Sequence, residues 1–157
     1  MVAELHPELI PLVGSWRLVS MVGTYSDTGE SVNFLGAQPE GRMVLEPSGR
    51  IMFLLAKAGR RSPESEADRA VLFDAMAAYS GLVRWSGDGE FITTVDLSWH
   101  PGWSGEQRRF FSLVGDRLIV RTPEQPSPRL DGRAGVGEIV FEREGRASDF
   151  PRALAIS

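Results

Sequence analysis

The chain has 157 residues, 42% of them hydrophobic and 24% charged, with a formal net charge of −4; this fits one globular domain and is short for two. A mildly acidic chain without a block of basic residues lacks the surface that nucleic acid or an anionic membrane requires. The absence of cysteine excludes disulfides and thiolate metal sites, and with only His6 and His100 a zinc site with several His ligands is excluded too.

The opening segment carries Glu4 and Glu8, has no early basic residue and is interrupted by Pro7 and Pro11, so it does not read as a secretory leader. No apolar run approaches the ~20 residues of a membrane span. Gly14–Thr24 alternates with Trp16, Leu18, Ser20 and Val22 on one face, a strand pattern. Asp27–Glu40 reads as a long loop. Arg42–Glu46 and Arg50–Ala56 flank Pro47-Ser48-Gly49, a hairpin signal. A helix is expected over Ser62–Ser80: Ser62 can cap it, Pro63 suits its first position, Glu64 and Glu66 complement its dipole, and Gly81 follows its end. Leu82–Trp85 and Glu90–Trp99 flank a second hairpin, and Gln107–Val114 and Arg117–Thr122 a third at Gly115-Asp116. Pro123–Gly135 is another long loop, and Val136–Glu144 is the last strand, with Ile139, Phe141 and Arg143 on one face. The count of about eight evenly spaced strands predicts an all-β antiparallel sandwich or barrel, with the inserted helix covering an end or side. Residues 1–144 form one domain in this reading, and 145–157 a tail that packs as a short helix or mediates self-association.

Leu12-Val13-Gly14-Ser15-Trp16-Arg17-Leu18-Val19-Ser20 resembles the opening of the bacterial lipocalin-like domain family, in which a Gly-x-Trp signature starts the first strand. Gly41–Gly49, Ala78-Tyr79-Ser80-Gly81, and Pro101-Gly102-Trp103-Ser104-Gly105 followed by Gln107 and Arg109 resemble later segments of that family, in order. The resemblance implies an eight-stranded up-and-down barrel of the lipocalin (calycin) type around an apolar cavity. It also implies that Gly14 and Trp16 plug the closed end, with Arg143 packed across the indole. It carries no established reaction, since some such barrels act as cyclases or isomerases and others only bind ligands.

Strand Glu90–His100 presents two faces. The more apolar one, with Val95, Leu97 and Trp99, is expected inside the barrel and Asp96, Ser98 and His100 outside. The opposite arrangement would put Asp-x-Ser-x-His inside, but same-face neighbours on a strand lie about 7 Å apart, too far for a hydrolytic triad. His100 stands at a strand end between Trp99 and Trp103, where a mouth would be, and is a candidate general acid or base. Tyr79, expected at the end of the helix, would turn its hydroxyl to the cavity. Arg109 shares a face with Phe111 and Leu113; either it points inward and needs an anion, or a bulge exposes both Arg108 and Arg109.

Two functions from different classes follow, with a filled barrel used only for self-association as a third possibility. One is a cytoplasmic barrel, monomer or homodimer, that binds a small apolar organic molecule against Trp99, Trp103, Phe53, Leu97, Val95, Phe111, Trp85 and Met43. The other is a cofactor-independent cyclase or isomerase acting on a polyketide-like or terpenoid intermediate of secondary metabolism. There His100, Tyr79 and Arg109 would be the catalytic groups. Neither requires a cofactor, a metal, nucleic acid or a membrane.

Overall fold

A computed structural model describes residues 4–145. Ten strands form one antiparallel sheet that closes on itself: β1 (Gly14–Tyr25), β2 (Ser31–Asn33), β3 (Glu40–Leu45), β4 (Arg50–Ala56), β5 (Met76–Gly87), β6 (Glu90–Ser98), β7 (Gly105–Val114), β8 (Arg117–Arg121), β9 (Gln125–Pro126) and β10 (Ala134–Arg143). The short β2 and β9 are flaps on β1 and β10, which leaves eight strands in the ring, closed by β1 pairing with β10. This is the up-and-down lipocalin-like barrel that the sequence implied. Among the described residues no helix is long and apolar enough to cross a membrane. The expectations for residues 146–157 lie outside the described residues.

The hairpins form where turn chemistry placed them. Gly49, at φ +89°, donates its N–H to the Glu46 carbonyl (2.9 Å) and returns β3 into β4. Gly115, at φ +61°, does the same service between β7 and β8.

Alternation decides the core, but two bulges change which residues it takes. In β1 the register slips between Leu18 and Ser20, so Trp16 and Leu18 point inward below the slip and Met21, Gly23 and Tyr25 above it. Ser20 and Val22 therefore do not share the face of Trp16. In β6, Gly81 of β5 faces Val95 while Ser80 faces Leu97, leaving Asp96 as the extra residue. A Cβ on Gly81 would stand 2.3 Å from the Thr94 carbonyl oxygen, so the close approach at this bulge needs glycine.

The helix is shorter than expected: α1 spans Glu66–Asp74, and Ser65 rather than Ser62 caps it by accepting from the Asp68 N–H. None of its residues is buried. Ala77 and Tyr79 belong to β5, because alternation there seats them opposite Leu55 and Phe53 inside the barrel. Sheet pairing thus overrides the local helical spacing.

The end of the barrel from which β1 starts is sealed. Trp16 is fully buried, donates its indole N–H to the Leu12 carbonyl (2.9 Å), and lies under the Arg143 guanidinium at 4.2 Å. Arg143 also donates to the carbonyls of Pro11 (2.6 Å) and Val13 (3.3 Å), fastening the leading 3-10 turn Ile10–Leu12 across the opening. A gap of about 10 Å³ among Leu9, Leu12, Met43, Ile51, Phe91 and Leu118 holds at most one water.

Candidate functional site

The opposite half of the interior is built differently. On β7, alternation turns Gln107, Arg109 and Phe111 inward, opposite Thr93 and Phe91 of β6 and Val120 of β8. No bulge interrupts β7, so Arg108 points out and pairs with Glu90 (2.7 Å). Gln107 accepts from the Arg109 guanidinium (3.4 Å) and donates to the Trp103 carbonyl (3.2 Å); Arg109 also donates to the Arg108 carbonyl (2.7 Å). Tyr79 reaches the same region from β5, its ring 4.9 Å from that of Phe53. Burial pushes its phenol up, and the nearby Arg109 guanidinium pulls it partly back down. Thr93 is fully buried and its hydroxyl has no hydrogen-bond partner. Tyr79, Gln107, Arg109 and Phe111 are only half-buried although they face inward, so part of each residue still reaches solvent.

An arch of side chains spans this mouth. The Phe73 ring at the end of α1 lies 5.5 Å from Trp99 and 5.9 Å from His100; His100 stacks on Trp103 at 5.3 Å. Arg129, from the 3-10 turn Pro128–Leu130, lies over Trp103 at 5.7 Å and over Phe34 at 5.9 Å. Phe34 in turn sits on Gly23: a Cβ there would be 2.1 Å from its ring. Burial holds the Arg129 guanidinium below its usual range, and the charge of Asp74 offsets this in part. Ring contacts of this kind contribute about 0.5–1.5 kcal/mol each beyond their burial.

The candidates from sequence therefore divide. Tyr79 and Arg109 meet inside the barrel, with Phe53, Val95 and Phe111 on the same inner wall. Trp103 covers that wall at the mouth. His100 does not join Tyr79 and Arg109. It is exposed on the rim, where its Nδ1 accepts from the Gly102 N–H (2.9 Å) to cap the 3-10 turn Pro101–Trp103. Leu97 cannot line the interior: the Asp96 bulge turns it outward, 74% exposed. Trp99 is likewise outside the cavity, donating its indole N–H to the Phe73 carbonyl (3.0 Å) and so tying α1 to β6. Met43 fills the sealed end, and Trp85 is stacked on His6 at 4.0 Å with its N–H on Glu8 (2.9 Å). Asp96 stands outside, where hydrogen bonds from Arg50 and Ser80 hold its carboxyl below the usual range.

Sequence reasoning did not assign a role to Phe34, Thr93 or Arg129. Thr93 was reachable, since it shares a face with Val95. Phe34 and Arg129 lie in segments without periodicity, and no sequence signal brings them together. Among the described residues no group of three or more His, Asp or Glu side chains could hold a metal ion. An open concavity of about 480 Å³ lies outside the barrel between the 57–64 segment and α1. Its walls are an exposed loop and an unburied helix, remote in kind from the ordered polar groups of the interior.

A family model described as a lipocalin-like domain matches residues 13–147. A solved structure described as a redesigned beta barrel aligns with 85% of this chain and 92% of its own, at 14% identity and a TM-score of 0.41. No curated protein matches the sequence.

Proposed function

The chain belongs to the lipocalin-like domain family, and on that premise we propose that it binds one small, largely apolar organic molecule through the mouth of its barrel. The observation that carries this reading is the asymmetry of the interior. One half is sealed down to a gap of about 10 Å³, whereas Tyr79, Gln107, Arg109 and Phe111 face inward and are only half-buried. Ligand sites typically combine apolar walls with a few placed polar groups. Phe53, Val95, Phe111 and Trp103 supply the walls here, and Tyr79, Gln107 and Arg109 the polar groups. A ligand entering at the mouth meets Phe34 and Trp103 first, and their rings must part around it.

A second reading, a cofactor-independent cyclase or isomerase of a polyketide-like or terpenoid intermediate, is favoured by the Tyr79–Arg109 pairing. A phenol raised by burial keeps its proton at neutral pH and can donate it, while the guanidinium stabilises developing negative charge. His100 stands apart from this pair, on the rim.

Native mass spectrometry of the purified protein tests the binding reading directly. A co-purifying or added small molecule at one per chain is expected, and failure to retain any apolar probe counts against it. Once a ligand is known, Tyr79→Phe, Arg109→Ala and His100→Ala separate the classes: abolished turnover marks an enzyme, and a modest change in affinity with no turnover in the parent protein marks a carrier.

A further inference from the structure

Charge pairing in this protein has a conspicuous pattern. Nine arginines (17, 42, 50, 84, 108, 117, 121, 133 and 143) have a carboxylate within 4.0 Å. Among the other described arginines, Arg60, Arg61 and Arg69 are exposed. Arg109 and Arg129 alone are both half-buried and without a carboxylate partner among the described residues. Both belong to the mouth half of the barrel.

The interior offers Arg109 no counter-charge. Reading the inward positions from β1 around to β10, the charged side chains are Arg109 and, at the sealed end, Arg143; no Asp or Glu points in. A cation partly withdrawn from water with no anion beside it gives up hydration that no ion pair returns, and a sequence this rich in acidic residues had ample means to pair it. Two groups here offer donors, the Arg109 guanidinium and the Tyr79 hydroxyl, while the Gln107 amide spends its N–H on the Trp103 carbonyl and its oxygen holds the guanidinium. The Thr93 hydroxyl, fully buried and without a partner, stands opposite Gln107 on the neighbouring strand. A fork of guanidinium donors beside a phenol suits a planar oxyanion better than an alcohol or an amine.

We propose that the molecule bound by the barrel is an organic anion, an apolar body bearing a carboxylate or similarly planar oxyanion, and that Arg109, held by Gln107, receives that group inside the barrel together with Tyr79. This rests on the reading of the barrel as a small-molecule binder and narrows it to a chemical class. Arg129, at the mouth, adds a second positive charge on the path inward, so the anion is attracted before it is bound.

The test pairs probes of matched shape: 2-naphthoate with 2-naphthol, and decanoate with decanol, titrated at pH 7 by isothermal calorimetry. The expected result is at least about tenfold tighter binding of each acid than of its neutral partner. Arg109→Met abolishes that preference, each acid then binding no more tightly than its alcohol; Arg109→Gln serves if the methionine variant does not fold. Equal binding of acid and alcohol by the parent protein overturns the anion proposal while leaving the barrel a binder. Binding of none of the four probes overturns both readings together. A preference that survives loss of Arg109 overturns the assignment of the site.

Discussion

Phe34 is held in the mouth by the absence of a side chain beneath it, and this makes a sharp prediction. Truncation of a fully buried Phe to Ala typically costs 3–5 kcal/mol. Phe34 is half-buried, so roughly half of that applies, and Phe34→Ala is expected to destabilise the fold by about 2 kcal/mol, near 4–8 °C in Tm for a domain of this size. Gly23→Ala places a Cβ 2.1 Å from the ring, and the ring must leave. Gly23 has no positive φ and sits in β1, so the alanine itself is unstrained, and its cost is capped at what Phe34 contributes by being there. Each single variant thus loses about 2 kcal/mol, and the double variant loses about the same as either one, not the sum near 4 kcal/mol. Urea unfolding followed by tryptophan fluorescence measures all four proteins. Additive losses, or a Gly23→Ala that is harmless while Phe34 is present, would refute the idea that the glycine exists to seat the ring. Both variants also open the mouth, so 2-naphthol should bind them with a faster on-rate than it binds the parent.

Thr93→Val replaces an unpartnered buried hydroxyl with a methyl and should stabilise the ligand-free protein by about 1 kcal/mol; a loss in denaturant midpoint would show that the hydroxyl has a partner after all. Arg143→Ala removes the guanidinium over Trp16 and two bonds to backbone carbonyls, and about 2–3 kcal/mol of stability should go with it, with Arg143→Lys recovering only part. In acid, Asp27, Asp96 and Glu142 act together. Hydrogen bonds from Arg133 to Asp27, from Arg50 to Asp96, and from Arg117 to Glu142 depress each folded-state pKa. The stability they give is complete above the ordinary carboxylate range near pH 4 and is lost as pH falls through the lower folded-state values. Asp96→Asn should lower Tm slightly at pH 7, the pair being exposed and screened, and flatten the acid limb by the same amount in a pH series of thermal melts.

How far the sequence carries can be followed residue by residue. Turn residues and alternation located the strands, because Gly49, Gly115 and the inward apolar positions act locally. The Trp16–Arg143 contact was reachable from the signature and the ring closure, since neighbouring first and last strands leave little choice of partner. Leu97 was not, because a single extra residue at Asp96 reverses every later side chain, and the composition of β6 fits either face. Tyr79 was placed on a helix for a similar reason: the alanines before it suit a helix, and only the pairing of β5 with β4 makes them strand. Of the interior polar groups, Arg109 and Tyr79 were legible one at a time. Their meeting depends on the stagger of strands around a closed barrel, which no local pattern encodes.

That stagger also explains why a sealed barrel and an accessible site coexist on ten strands. Successive inward residues on neighbouring strands climb along the barrel axis. The chain spends its largest apolar side chains at one level, around Trp16, Phe141 and Leu118, where the leading turn and Arg143 close the end. At the other level it spends glycine, glutamine, threonine and arginine, which pack less well and leave donors unspent. On the anion proposal the cation at this level is met by the ligand's negative group, and that is why charge, rather than cavity size, is the property on which the matched acid and alcohol probes should divide.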